Sequence, residues 1–373
     1  MIYIAAFLLS TAFVYLGDSL RKKNRYLSAV ILAFGVLLVA VLAGVRDLSI
    51  GTDIQTYGEW LFKGARGKNK LFEYIKYNKD IETLFLILVY GVSKVFSDSH
   101  WLYFTISLLQ CGFTLAGICN YRDKISVSLG WLCFLLLFYG DTLNAMRQFI
   151  AIAISFWAFH FFENKQYFKY ISWTLIAFLF HNTAVLSFLV AFVYFVIKRK
   201  DTLFIRIGIV VAAIVVKNFY SFALQLLMNV GILNSRFERY IQGGYGFEIN
   251  PLVIRIPFVI LILISSKRFA DFCSNRYTKL GRQNSDFIII LLVLEMIAAE
   301  MRAVLPTLYR ISFYFGYAKL IAYPRLIISA IPNNKRIYLI LIVLFLFLLW
   351  IYQNVYQGNN DIFPYTSSIL GIG

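Results

Sequence analysis

Apolar runs of membrane-spanning length follow one another along almost the whole chain, and that pattern leaves one fold class open. Residues 2–20 and 27–45 are nearly all apolar and flank the basic turn Arg21-Lys22-Lys23-Asn24-Arg25. Further runs lie near 101–119, 126–140, 145–162, 168–181, 183–197, 203–217, 251–266, 286–300, 304–323 and 337–353. A bilayer crossing takes about 20 residues, so the sequence predicts an all-α polytopic integral membrane protein with about 12 transmembrane helices. Composition agrees: 60% of residues are hydrophobic, 15% are charged and the mean hydropathy is +0.71. A soluble domain is about half apolar and about a quarter charged, so soluble, disordered and fibrous classes are excluded. The first run begins apolar and ends basic, the reverse of a cleavable signal peptide. It reads as a retained span with its N-terminus outside, and residues 1–373 read as a single transmembrane domain with no internal repeat.

The net charge of +17 suggests nucleic acid only until it is mapped onto the turns. Alternate turns are basic. They hold Arg122 and Lys124; Lys165 and Lys169; Lys198, Arg199, Lys200 and Arg206; Lys267, Arg268, Arg276, Lys279 and Arg282; and Arg325, Lys335 and Arg336. Against them stand Asp123, Glu163, Asp201 and Asp271. Lys and Arg concentrate on the cytoplasmic side of membrane proteins, so these turns orient the chain and no nucleic-acid partner is expected. A full crossing at residues 82–97 would break the alternation between the Arg21–Arg25 turn and the later basic turns, and the run is short and interrupted by Gly91, Ser93 and Lys94. A re-entrant helix satisfies the topology, since irregular depth is allowed where protein encloses it; the competing reading is a full span with the first two helices inverted. Two polar stretches, 46–81 and 218–250, are placed outside, and their aromatic content predicts packing rather than disorder. Cys111, Cys119, Cys133 and Cys273 show no metal-ligand spacing and read as small core residues without a disulfide.

Ionisable residues at membrane depth or at outer helix ends carry the functional signal, because a charge at the bilayer centre costs about 2.5–3.5 kcal/mol on insertion scales unless it faces a polar site or a partner. Four places qualify: Arg46-Asp47 with Asp53; Asp141 through Asn144 to Arg147-Gln148; His181-Asn182; and Glu300, Arg302 and Arg310. One topology puts all four outside. They predict one polar, arginine-rich cavity open to the outer face, and arginine forks match phosphate and carboxylate, so an anionic ligand such as a lipid diphosphate is expected. Plainer roles stand beside each: headgroup snorkelling for Arg302 and Arg255, an Arg147–Asp141 salt bridge, an interfacial His181, and a helix cap for Asp53.

The same residues resemble the motifs of a known family. Arg46 with Gly51-Thr52-Asp53 and Tyr57 resembles the R-x(n)-G-T-D-x-x-x-Y element of the EpsG/Wzy group of bacterial polysaccharide polymerases. Asn144-Ala-Met-Arg147-Gln148-Phe-Ile-Ala151 is similar to its N-x-x-R-Q-x-x-A element, and Phe180-His181-Asn182-Thr183-Ala184 to its F-H-x-[ST]-A element. Arg310-Ile-Ser-Phe-Tyr314-Phe315 is similar to its C-terminal R-x-x-x-Y-F element. The chain departs from the group in Ile54, where Tyr or Phe often follows the Asp.

The resemblance implies a GT-C-type glycosyltransferase architecture in the bacterial cytoplasmic membrane, working at its outer face without metal or other cofactor. It implies undecaprenyl-diphosphate-linked oligosaccharides as donor and acceptor, in contact with membrane lipid, and a chain-length regulator and a flippase as candidate protein partners. In that reaction an acceptor hydroxyl attacks the anomeric carbon and the diphosphate leaves, with inversion expected for a single displacement. Arg147 and Arg310 are expected to stabilise the leaving diphosphate, assisted by Arg46 or Arg302. His181 is the leading general base, since imidazole titrates near neutrality, with Asp53 and Asp141 as alternatives. Tyr57, Asn144, Gln148 and Tyr314 are expected to bind substrate. A ligase of the same architecture and a lipid-linked oligosaccharide flippase remain the rival readings; the flippase predicts internal repeats.

Overall fold

The computed structural model describes residues 2–200, 202–229, 255, 279–303, 308–329 and 335–373. Its elements are helical throughout, and among the described residues extended pairing is confined to a single bridge between Ser367 and Ile372. Two compact units divide the chain: Met1–Val185 with Arg336–Gly373, and Leu186–Lys335.

The first unit starts with a hairpin of α1 (Ile2–Leu20) and α2 (Arg25–Gly44). Asn24 begins α2 by accepting the Leu27 amide at 3.0 Å, which satisfies one of the donors a helix start leaves unpaired. Within a bilayer, lipid is as apolar as leucine, so helix pairs depend on close approach and on polar contacts. The hairpin has both. A Cβ at Gly35 would meet Val14 Cγ2 at 2.9 Å. Ser10 donates to the Gly35 carbonyl and Ser28 to the Gly17 carbonyl, each at 2.6 Å. Ser10 also accepts Trp131 Nε1–H at 2.8 Å, which ties in α7 (Val127–Leu137). Bonds of this kind contribute about 0.6 kcal/mol on average in membranes.

Residues 46–81, expected to pack, do so as a π-helical turn (Ile54–Gly58), α3 (Glu59–Gly67) and α4 (Leu71–Tyr77). Ile54, Tyr57, Leu61, Phe62 and Tyr74 bury against α5 (Thr83–Val95), α6 (His100–Cys119) and α9 (Met146–Glu163). α5 is 13 residues long, about 20 Å at 1.5 Å per residue, short of the roughly 30 Å hydrocarbon layer. α9 is buried on nearly every side between α6 and α10 (Tyr167–Phe180). A four-residue helix, α8 (Tyr139–Thr142), makes the elbow between α7 and α9. Cys111 and Cys133 are buried in this core.

The second unit holds α11 (Leu186–Arg199), α12 (Leu203–Asn229) and α13 (Lys279–Ala299), followed by the short α14 (Ser312–Gly316) and α15 (Lys319–Ser329). At one end of α13, Arg206 forms a two-pronged pair with Asp286 (3.0 and 2.8 Å) and Lys198 bonds Asn284. The last helix, α16 (Lys335–Ile351), belongs almost wholly to the first unit, which residues 352–373 complete.

Two expectations change. The 218–250 loop does not begin at 218: α12 continues to Asn229 because residues 218–229 contain no Gly or Pro to stop a helix. The expected span at 304–323 is not one continuous helix, since α14 ends at Gly316 and α15 starts at Lys319, with Pro324 inside α15. Six helices among the described residues are long and apolar enough to cross a membrane, against about 12 expected from residues per span. α5, α7 and α10 are apolar but shorter, and 251–266, apart from Arg255, lies outside the described residues.

Candidate functional site

The Gly51-Thr52-Asp53 loop is shaped by the elbow it rests on. Gly51 has φ +97, and a Cβ there would come within 2.9 Å of the Leu143 carbonyl oxygen. A side chain at this φ is strained, so glycine is what lets the loop touch the elbow. Asn144 Oδ1 then accepts the Thr52 amide at 2.6 Å and the Thr52 hydroxyl at 3.3 Å. Arg46 lies beneath, 2% exposed. It donates from Nε to the Ile50 carbonyl (3.1 Å) and from Nη2 to the Leu143 carbonyl (3.2 Å), with its guanidinium 5.7 Å from the Tyr103 ring. Burial lowers its pKa. The geometry makes Arg46 a clamp between loop and elbow.

One residue on, Asp53 Oδ2 accepts the Tyr57 hydroxyl at 2.5 Å. Burial, reinforced by the Asp53 carboxylate, raises the Tyr57 pKa well above its ordinary value, so the phenol keeps its proton and donates. The Arg147 guanidinium lies 4.7 Å from the Tyr57 ring centroid and 5.9 Å from that of Phe85. A cation over an aromatic face is attracted by the ring quadrupole. The carboxylate that Arg147 meets is Glu82, which accepts from Nη1; Asp141, the neighbour in sequence, receives Asn360 Nδ2 at 3.0 Å. The pairing suggested by sequence proximity gives way to one spanning 65 positions, because the α8 elbow separates Asp141 from the first turn of α9.

Glu82 also accepts the Asn182 amide on Oε1 at 3.3 Å. It thus joins Arg147 to the turn that carries His181, where His181 Nδ1 lies 2.7 Å from Thr183 Oγ1 and Gln148 Nε2 donates to the same hydroxyl at 3.4 Å. Asp53, Tyr57, Arg147, Gln148, His181 and Asn182, drawn from three separate motifs, form one continuous polar network. Glu82 is the member of this network that sequence reasoning missed. Its only signal was a lone carboxylate at the head of a short apolar helix.

Asp47, placed in the first candidate cluster, faces the C-terminal segment. Its carboxylate takes the Ser368 amide and hydroxyl at 2.7 and 2.8 Å. The backbone bond from Ser368, with the hydroxyls of Thr366 and Ser368, holds its pKa below the usual value.

In the second unit, Arg302 lies 5.7 Å from the Tyr309 ring, Arg310 sits in the 3-10 turn Leu308–Ile311, and Tyr314 is buried in α14. Glu300 is buried and pairs with Lys217 at 3.7 Å. The strongest charge cluster there was not expected from sequence. Glu295, 3% exposed, takes Arg255 Nε at 2.7 Å and Lys319 Nζ at 2.5 Å on one oxygen. Arg255 is therefore paired rather than reaching for headgroups. Among the described residues, no three His, Cys, Asp or Glu side chains gather as a metal site.

Fold and network together define a multi-pass, all-helical membrane protein with a partly buried polar network. The family model described as the EpsG family matches residues 29–367, and the chain belongs to the EpsG family. No curated protein and no solved structure matches it.

Proposed function

We propose that this chain is a polysaccharide polymerase. It joins oligosaccharide repeat units carried on undecaprenyl diphosphate into O-antigen, capsule or exopolysaccharide, at the outer face of the bacterial cytoplasmic membrane. Family membership supports the class of activity. The observation that carries the site is Glu82, which links Arg147 to the His181 turn while Tyr57 links Arg147 to Asp53.

In this reading the acceptor hydroxyl oxygen forms a bond to the donor's anomeric carbon. The bond from that carbon to the diphosphate breaks, and the diphosphate departs with the electron pair. The hydroxyl proton passes to His181. Imidazole titrates near neutrality, whereas an ionised carboxylate is a much weaker base there, which favours His181 as acceptor. Arg147, oriented by Glu82 and Tyr57 before substrate arrives, stabilises the charge growing on the diphosphate. A cation fixed in advance needs little reorganisation as the reaction proceeds. Arg310 and Tyr314 remain assigned to substrate on motif grounds and Arg302 as a charge at the end of an apolar run, and Gln148 to orienting a sugar hydroxyl. Arg46 and Asn144 are reassigned to holding the Gly51-Thr52-Asp53 loop.

The test is the surface glycan profile of a strain lacking the endogenous gene and carrying variants of this chain. Arg147→Ala, His181→Ala and Arg310→Ala should insert normally yet leave single-repeat glycans. Normal long polymer from all three overturns the site. A deletion strain in which no repeat unit reaches the surface would point instead to a flippase or ligase.

A further inference from the structure

The C-terminal segment is built into the site of the first unit. It is anchored by bonds that do not involve Asn360: Tyr365 donates to the Leu42 carbonyl at 2.9 Å, Asp47 N–H to the Thr366 carbonyl at 3.0 Å, and Ser367 to the Val45 carbonyl. This docked segment presents Asn360, whose backbone is left-handed (φ 71), a conformation asparagine tolerates better than most residues. Asn144 Nδ2 donates to both the Asn360 carbonyl (2.8 Å) and Asn360 Oδ1 (2.9 Å), while Asn360 Nδ2 donates to Asp141 Oδ1 (3.0 Å).

Direction matters in this chain of bonds. An ionised carboxylate only accepts, so Asp141 forces the Asn360 amide to point its NH2 group toward Asp141 and its oxygen toward Asn144. That oxygen in turn fixes the Asn144 amide, whose own oxygen then faces the Thr52 N–H. Thr52 is the neighbour of Asp53. We propose that Asn360 is a positioning residue for the reaction: with Asp141 setting its orientation, it locks Asn144 onto Thr52 and so places Asp53 and Tyr57 beside Arg147. Asp141 then serves this relay and takes no substrate proton. The inference rests on the polymerase reading.

An exchange of the two side chains tests it. Asn360→Asp alone sets two carboxylates against each other, and polymer yield falls about tenfold, the effect of roughly one charge-assisted hydrogen bond. The double variant Asn360→Asp with Asp141→Asn rebuilds both bonds with the polarity preserved, because Asn at 141 donates to Asp at 360, which still accepts from Asn144. Yield returns to within about threefold of the parent chain, as coupled rather than independent sites require. Full polymer from Asn360→Asp, or no recovery in the double variant, overturns the proposal. A second readout does not depend on the reaction. In purified protein, the Thr52 amide exchanges with deuterium faster in Asn360→Asp and at the parent rate in the double variant. Unchanged exchange overturns the relay whatever the chain makes, whereas failure of the parent chain to restore polymer in the deletion strain counts against the polymerase reading alone.

Discussion

Replacing Glu82 with Gln is the most informative single perturbation of the site, because it removes a charge and keeps the shape. The amide oxygen can still accept the Asn182 N–H, but the ion pair with Arg147 is lost. Breaking a fully buried pair by removing one partner costs about 3–5 kcal/mol. Here the side chains are 20% and 15% exposed, and Arg147 keeps the Tyr57 ring. We therefore expect about 2 kcal/mol, or roughly 30-fold in rate at 1.36 kcal/mol per tenfold. The assay is polymer formation by membranes supplied with lipid-linked repeat unit, comparing the parent, Glu82→Gln, Arg147→Gln and the double variant. If Glu82 acts by orienting Arg147, Glu82→Gln costs nothing further once Arg147 is gone, so the double variant equals Arg147→Gln. Independent sites give losses that multiply. Multiplying losses, or a Glu82→Gln variant as active as the parent, would refute the idea that this carboxylate works through the arginine.

Two further outcomes are expected. Gly51→Ala places a methyl group 2.9 Å from the Leu143 oxygen at φ +97, costing about 2–4 kcal/mol from backbone strain and the forced shift; polymer should drop sharply while membrane insertion persists, and parental polymer levels would contradict the loop–elbow contact. Glu295→Gln leaves Arg255 and Lys319 facing one another without the carboxylate they share, at about 3–5 kcal/mol. The detergent-solubilised variant should unfold several degrees lower, with partial recovery on adding Lys319→Met, and an unchanged melting temperature would show the triad to be energetically idle.

The structure divides the arginines by what their neighbours ask of them. Arg46 and Arg147 look alike in sequence, each at a helix end near a carboxylate. Arg46 is closed in by backbone carbonyls, whereas Arg147 keeps a fifth of its side chain open beside a carboxylate and an aromatic ring. Only the second geometry suits a group that would meet substrate charge, since Arg46, 2% exposed, offers almost no surface for a substrate to reach.

Local signals in the sequence were enough for the helical class and for the ends of α1, α2, α6 and α9 to within a few residues; they also marked Asp53, Tyr57, Arg147, Gln148 and His181 as candidates, which the fold brings near one another. Hydropathy and basic turns act over one helix length, so such features survive without knowledge of the fold. Glu82, Asn360 and Glu295 carry no comparable local mark. Glu82 meets Arg147 across 65 positions and Asn360 meets Asn144 across 216, and no periodicity reaches that far. Nor could spacing distinguish Asp141 from Glu82 as the partner of Arg147, because that choice is made by the elbow at 139–145, which turns one carboxylate toward the C-terminal segment while α5 brings in the other. The sequence determined which charges had to be satisfied inside a membrane protein; only packing decided which residues satisfy them, since a buried charge takes the partner that tertiary structure places within bonding distance, whatever its distance along the chain.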